Sequence, residues 1–240
     1  MSGPRWSVVI PAFNEARRLP PYLADVIAYF DGRGEPYEVL VVDDGSSDGT
    51  ADAVTGIARA HPSVRVLRQA RNEGKGAAVR RGMLAAGGER RLFADADGAT
   101  PIVELKRLEA ALSAGADIAI GSRARLDPSV SVTARPHRVL AGRIFSWLVG
   151  RFAIRGVIDS QCGFKAFTAA AATDLFGRVR TCGFGFDVEV LLLAQAAGYR
   201  IVEVGVNWAD QPGSKVAVAT DGPRMLWEVA RARLRMRRRR

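Results

Sequence analysis

Cysteine and histidine are nearly absent from this chain, with two of each among 240 residues: Cys162 and Cys182, His61 and His137. Two cysteines make no disulfide framework and leave no second pair for a structural zinc site, so a reducing compartment fits. Both cysteines read as small buried residues, and neither histidine stands in a motif. Long apolar runs are also missing. No stretch of 18 or more residues is free of charge, so a spanning helix would have to bury arginine or aspartate. The first residues, Met-Ser-Gly-Pro-Arg-Trp, do not follow the charged-then-apolar pattern of a secretory leader. The expectation is a cytoplasmic protein whose membrane contact, if it has any, is peripheral. Two nucleotide signatures are absent as well. The first strand is not followed by Gly-x-Gly-x-x-Gly, which disfavours a dinucleotide site, and Glu73-Gly-Lys-Gly-Ala77 lacks phosphate-loop spacing.

What the chain does have is apolar bulk, since 48% of its residues are hydrophobic, enough at this length for one good core. It carries 35 Lys and Arg against 25 Asp and Glu, a formal +10, with the excess concentrated at the end in Arg231, Arg233, Arg235 and residues 237–240. A basic terminus of this kind attracts anionic partners, either acidic lipid or nucleic acid.

Short apolar runs at 6–10, 38–42, 64–67, 91–94 and 117–121 read as strands, with helical patterns near 15–31, 50–60, 75–87 and 101–114 between them. That alternation predicts βαβ units, hence a single α/β domain on a mostly parallel, Rossmann-like sheet flanked by helices. Ligands of such sheets bind beyond the carboxyl ends of the strands, where this sequence places Asn14-Glu15, Asp43-Asp44, Asp95 and Asp97. The rhythm breaks at about 122 into a basic, Trp-containing stretch, and shorter elements resume at 163–168, 187–198 and 200–206. Residues 1–125 thus read as one functional half, 126–222 as a second half of the same domain, and 223–240 as a basic amphipathic tail.

The strongest motif is Phe93-Ala-Asp-Ala-Asp-Gly-Ala-Thr100. In extended backbone, residues i and i+2 point the same way, so Asp95 and Asp97 can bracket one cation. Oxygen ligands without His or Cys suit Mg²⁺ or Mn²⁺ holding a diphosphate; the alternative is a solvated turn. In Val39-Leu-Val-Val-Asp-Asp-Gly-Ser-Ser-Asp-Gly-Thr50, Asp43 and Asp44 can accept from a base or ribose, and Gly45 and Ser46 allow close backbone approach. Ser47, Asp48 or Thr50 reads as the cap of the next helix. In Val8-Val-Ile-Pro-Ala-Phe-Asn-Glu-Ala16 the strand ends at Pro11, and Asn14 and Glu15 open a helix. Lys75, at a helix start, can meet a phosphate.

These motifs, in this order, resemble the GT-A glycosyltransferases of family 2. Ile120-Gly-Ser-Arg-Ala124, Asp159-Ser-Gln-Cys-Gly-Phe-Lys-Ala-Phe-Thr168, Phe186-Asp-Val-Glu189, Val206-Asn-Trp208 and Gly213-Ser-Lys215 narrow the resemblance to the dolichyl-phosphate β-glucosyltransferase branch, near the dolichyl-phosphate mannose synthases. The resemblance implies a metal-dependent, inverting transfer of a hexose, UDP-glucose being the expected donor, to a polyprenyl or dolichyl phosphate. It implies that Pro11, Ala12, Asn14, Glu15, Asp43, Asp44, Gly45, Ser46 and Lys75 line the nucleotide-sugar pocket together with Asp95. Asp95 and Asp97 would hold Mg²⁺ or Mn²⁺, and Lys215 would belong to a loop over the donor phosphates. Arg123, Arg135, Arg138 and Gln161 would receive the acceptor phosphate. Asp97, Arg123 and Asp187 are the expected catalytic residues, with Gln161, Asp187 and Glu189 in the wall around sugar and acceptor.

Eukaryotic members of that branch carry an N-terminal membrane helix, which this sequence does not show. Membrane attachment is therefore expected either from residues 137–158, where Trp and Phe interleave with arginines, or from 224–240. An ordinary core-packing helix is the other reading of 137–158. Rival donors are GDP-mannose and a UDP-N-acetylhexosamine. A nucleic-acid-binding module and a sugar-nucleotide binder without turnover are the rivals from other classes; the first has no use for an Asp-x-Asp pair.

Overall fold

The computed structural model describes residues 3–125, 127–133, 154, 156–212 and 218–237. Seven strands form one sheet: β1 (Trp6–Ala12), β2 (Tyr37–Asp43), β3 (Val64–Arg68), β4 (Arg90–Ala94), β5 (Ile118–Ser122), β7 (Phe164–Thr168) and β8 (Ile201–Gly205). They lie in the order β3-β2-β1-β4-β7-β5-β8. Every neighbouring pair is parallel except those made by β7, which runs antiparallel between β4 and β5. A second, two-stranded parallel ladder joins β6 (Val132–Thr133) to β9 (Trp208–Ala209).

Parallel strands covered on both faces read as continuous apolar runs, and β1 is buried along all seven residues. Its alternation divides the core. Val8 and Ile10 join Leu19, Leu23, Val26 and Phe30 of α1 (Leu19–Asp31) and Leu105 and Leu108 of α4 (Leu105–Ser113). Val54 of α2 (Thr50–Ala60) belongs to the same cluster. Val9 points the other way. It packs with Val79 and Met83 of α3 (Lys75–Ala85), Leu175 and Phe176 of α5 (Ala169–Arg178), Leu191 of α6 (Phe186–Ala197) and Val229 of α7 (Val218–Arg237). A β-carbon at Gly82 would collide with the side chains of Val9 and Val42, so glycine is what lets α3 settle onto the sheet.

The strand order reverses between β1 and β4, and open α/β sheets bind ligands at such a reversal, beyond the strand carboxyl ends. Because β7 is antiparallel, its amino end and the loop before it lie on that same edge. Two chain segments far apart in sequence, 95–100 and 159–163, are thereby brought together.

Several sequence expectations shift. The helix expected to open at Asn14 and Glu15 begins only at Leu19, with proline in its first turn. Asn14 takes a left-handed conformation at φ +53°, and the residues between form a turn. The 101–114 pattern divides into a 3₁₀ turn, Ile102–Glu104, and α4. Helix α5 was not foreseen, although Thr168 caps it by accepting from the Ala171 N–H. Cys162 is buried as expected, but Cys182 is exposed. The apolar stripe expected in the tail, Met225, Leu226, Val229, Ala230 and Leu234 with Trp227 beside it, splits around α7: Met225 and Val229 are buried, together with Ala232, whereas Leu226, Trp227, Ala230 and Leu234 are exposed. Of 137–158 only Ile154 and 156–158 are described; Ile154 is buried in the core.

The aromatic contact that seats α5 on β7 pairs Phe167 with Phe176 edge to face, 5.4 Å between centroids. Replacing fully buried Phe167 with alanine is expected to cost about 3–5 kcal/mol, read as a lower urea midpoint at unchanged slope. A loss under about 1 kcal/mol, the size of an average substitution, would contradict this packing.

Candidate active site

Two loops build one side of the crevice by reading each other. The Asn14 N–H donates to Ser46 Oγ at 2.9 Å, and the Ser47 N–H donates back to Asn14 Oδ1 at 2.9 Å. The Glu15 N–H reaches Thr50 Oγ1 at 2.8 Å, and the Ala16 N–H reaches Asp48 Oδ2 at 3.1 Å. Asp48 also accepts from the Thr50 N–H, so the expected capping group serves both loops. Asp43 closes its own loop by accepting from the Ser46 N–H at 3.2 Å.

Asp44 does different work. It accepts from the side chain of Gln69 and from the N–H groups of Glu73 (2.7 Å) and Gly74 (2.9 Å), which fixes the start of α3. Burial raises its pKa against these donors. Its geometry is that of a loop clamp. Gly45, at φ +72°, is required here, because a β-carbon would overlap the backbone of Arg71 and Asn72.

Helix α3 therefore presents Lys75 to the edge, with Nζ 2.6 Å from Asp95 Oδ1 and over the faces of Phe93 and Phe184 at 5.3 and 6.0 Å. Burial opposes the ammonium charge, but Asp95, Asp187 and Asp97 outweigh it and raise the pKa. Beneath lies an ion pair: Lys165 Nζ and Asp187 Oδ1 are 2.5 Å apart, and the two residues are 1% and 3% exposed. Burial raises the Asp187 pKa in spite of Lys165 and Lys75. Asp95 is held through its main chain, its N–H donating to the Gly163 carbonyl at 2.9 Å. A β-carbon at Gly163 would overlap the Asp95 carboxylate.

The Asp97 pKa is raised by burial and then by Asp95, with the Ala99 N–H, Arg18 and Lys75 opposing. Arg18 grips Glu15 with Nε and Nη2, donates to the Pro212 carbonyl and lies 4.0 Å from Asp97. Two mutually repelling carboxylates at one point are the arrangement a cation relieves. Among the described residues no group of three His, Cys, Asp or Glu side chains stands ready to hold a metal, so a cation here would draw its remaining oxygens from ligand or water. Mg²⁺ and Mn²⁺ bind in this way, and the residues fit them.

Across the crevice, Arg123 forks onto Asp159 at 2.7 Å from both Nε and Nη2 and lies over the Trp208 ring at 5.5 Å. Burial would raise the Asp159 pKa, but Arg123 holds it below the ordinary value. Glu203 steadies the loop by accepting from the Ile158 and Asp159 N–H groups. Gln161 follows directly, and the Cys162 thiol is pushed up to about 12 by burial, which makes it inert.

The carboxyl edge of the sheet thus carries Pro11, Ala12, Asn14, Glu15, Asp43, Asp44, Gly45, Ser46, Lys75, Asp95, Asp97 and Arg123, joined there by the loop that holds Gln161 and by Asp187. Glu189 is engaged elsewhere. It accepts from the Arg180 and Thr181 N–H groups and pairs with Arg235 of α7 at 2.9 Å. Arg135, Arg138 and Lys215 lie outside the described residues. Arg18, Asp159, Lys165 and Glu203 were missed. Arg18 lies one helical turn after Glu15, a spacing that could have revealed it; the pairing of Lys165 with Asp187 crosses 22 residues and leaves no local signal.

The sequence matches the model of glycosyl transferase family 2 over residues 7–174, and the chain belongs to that family. It is 43% identical over 223 residues to the dolichyl-phosphate beta-glucosyltransferase of Drosophila melanogaster, covering 88% of this chain and 68% of that one. It is 38% identical to the human enzyme of the same name, over 88% and 69%. Among solved structures, mannosyl-3-phosphoglycerate synthase from Rubrobacter xylanophilus superposes with a TM-score of 0.69 at 21% identity, covering 98% of this chain and 74% of that one. Glucosyl-3-phosphoglycerate synthase from Mycobacterium tuberculosis, solved in complex with Mn²⁺ and UDP-glucose, gives 0.66 at 21% identity, over 95% and 80%. These two show the GT-A fold.

Gly163→Ala is expected to displace Asp95 and lower glycosyl transfer about hundredfold, the usual cost of a misplacement near 1 Å, while the far-ultraviolet spectrum stays native. Transfer within about twofold of the parent would show that Asp95 does not depend on this contact.

Proposed function

We propose that the protein transfers glucose from UDP-glucose to a polyprenyl or dolichyl phosphate, inverting the anomeric centre, while bound peripherally at the cytoplasmic face of a membrane. The reading rests above all on the Asp95, Asp97 and Lys75 cluster facing Arg123 across one crevice, in a chain 43% identical to a dolichyl-phosphate beta-glucosyltransferase. Asp95 and Asp97 would hold Mg²⁺ or Mn²⁺, which supplies charge compensation for a departing diphosphate. Lys75 adds a fixed positive charge beside them, kept protonated by three carboxylates. The interlocked loops around Asn14 and Ser46, with Asp43, hold the uridine end.

Arg123 is oriented by Asp159 and Trp208 before any ligand arrives, which fits a fork for the acceptor phosphate. Arg135, Arg138 and Lys215 are assigned to acceptor and donor phosphates by resemblance alone. A lipid phosphate is already ionised at neutral pH, so the attack needs positioning more than a general base. That suits Asp187, which is fully occupied in compensating Lys165. An α-linked donor would yield a β-linked lipid product. Asp97→Ala, or excess chelator on the parent, is expected to abolish transfer from UDP-glucose to a polyprenyl phosphate. Full activity in chelator, or turnover of GDP-mannose with none of UDP-glucose, would overturn the reading.

Helix α7 is the proposed membrane contact. No helix among the described residues is long and apolar enough to cross a bilayer. The outer face of α7 shows Leu226, Trp227 and Leu234, and Arg231 stacks on Trp227 at 5.1 Å. Glu228, next to Trp227, accepts from the Gly185 N–H at 2.9 Å. That contact places this part of α7 against the loop whose Cys182 carbonyl receives the Gly76 N–H beside Lys75. A bilayer under Trp227 would therefore lie close to the catalytic edge. Each arginine near an anionic surface adds about 1 kcal/mol. Deleting 237–240 is expected to weaken co-sedimentation with anionic liposomes and to flatten its salt dependence, leaving transfer to a short soluble lipid phosphate unchanged. Equal binding by both forms across a salt series would move the contact to 137–158.

A further inference from the structure

The loop before β7 is held at every turn. Asp159 is gripped by Arg123 and by Glu203, and the Gln161 N–H donates to Asp159 Oδ1 at 3.3 Å. The Cys162 carbonyl accepts from Lys165 Nζ, and the Gly163 carbonyl accepts from the Asp95 N–H. With its backbone fixed this way, the loop can place its side chains without further cost in ordering.

Two of those side chains carry a buried polar atom with no hydrogen-bond partner among the described residues. Ser160 is 2% exposed, and its Oγ has no hydrogen-bond partner among the described residues; the same is true of Gln161 Nε2, which is also buried. A buried hydroxyl or amide left unsatisfied costs about 1–3 kcal/mol, and native proteins rarely keep two such groups on adjacent residues without using them. They stand between the Arg123–Asp159 fork and Gly163, against which the Asp95 carboxylate rests. That is the gap between the proposed acceptor-phosphate fork and the proposed diphosphate pole, where the transferred group has to lie.

The chemistry of the pair narrows its ligand. Neither side chain is charged, and each holds both a donor and an acceptor, as do the hydroxyls of a sugar, whereas an ionised phosphate offers acceptors alone and would leave the Gln161 amide oxygen unmatched. We infer that Ser160 and Gln161 form the subsite that reads the hydroxyls of the transferred hexose, and so set donor-sugar specificity. The inference rests on the proposed glucosyl transfer and departs from the expectation that Gln161 receives the acceptor phosphate.

The test combines variants with deoxy donors. Ser160→Ala and Gln161→Met are assayed with UDP-glucose and with its 2-, 3-, 4- and 6-deoxy analogues, and UDP affinity is measured by calorimetry on the same preparations. Each variant is expected to lose about tenfold to hundredfold in kcat/KM for UDP-glucose, with UDP affinity and the KM for polyprenyl phosphate unchanged. For one deoxy analogue per variant, parent and variant should become equal, because the missing hydroxyl is the one that side chain reads. Unchanged discrimination across the whole series, or a rise in acceptor KM alone, would overturn the assignment. Intact UDP binding separates a specificity effect from misfolding. A parent that turns over no UDP-glucose would instead sink the proposed reaction, and the variants' relative affinities for UDP-glucose and its deoxy analogues would still decide the role of the subsite.

Discussion

The position of one carboxylate, that of Asp95, governs the rest of the crevice. Its main chain is tied to Gly163, its side chain rests where a β-carbon of residue 163 would lie, and Lys75 meets it at 2.6 Å. Charges this close in a partly desolvated crevice must be balanced. The structure balances them by alternation: Asp97 beside Arg18, Asp95 beside Lys75, Asp187 beside Lys165, Asp159 beside Arg123. Asp97 has the longest of these four pairings, with Arg18 at 4.0 Å, and burial and Asp95 raise its pKa against the Ala99 N–H, Arg18 and Lys75. A divalent cation would complete the alternation at that point.

The topology explains why the balance can be built at all. A purely parallel sheet would place 159–163 at the far edge from 95–97. The antiparallel insertion of β7 between β4 and β5 turns that loop toward the carboxyl edge instead. The same inversion puts Lys165 at the centre of the sheet, where Asp187, at the start of α6, reaches it. The first 125 residues and those that follow thus meet at β7, which pairs with β4 and β5, and at β8, which pairs with β5.

Much of this was legible in the sequence because its signals are local. Apolar runs ending in polar clusters located β1, β2 and β4 to within two residues, and the Asp95-Ala-Asp97 spacing singled out the two carboxylates for which a cation is proposed. What was hidden depended on partners far apart in the chain. The clamp of Asp44 onto Glu73 and Gly74 went unread because it crosses about 30 residues. The direction of β7 left no mark on its composition, and α5 went unread although Ala171, Ala172, Leu175 and Phe176 form one buried face, because alanine gives that face little apolar weight. The tail read as one apolar stripe, but packing against α6 took Val229 into the core and left Trp227 outside. Family resemblance supplied the reaction class, which no spacing could have given.

We propose that Asp95 and Asp97 form a cation pole that recruits the donor diphosphate. Calorimetric titration of UDP-glucose, with and without Mn²⁺, into the parent and Asp97→Asn tests it without relying on turnover. Mn²⁺ is expected to tighten binding to the parent by about tenfold or more, at least about 1.4 kcal/mol, and to leave Asp97→Asn unaffected. Equal affinities with and without Mn²⁺ in the parent, or an undiminished metal effect in Asp97→Asn, would contradict it.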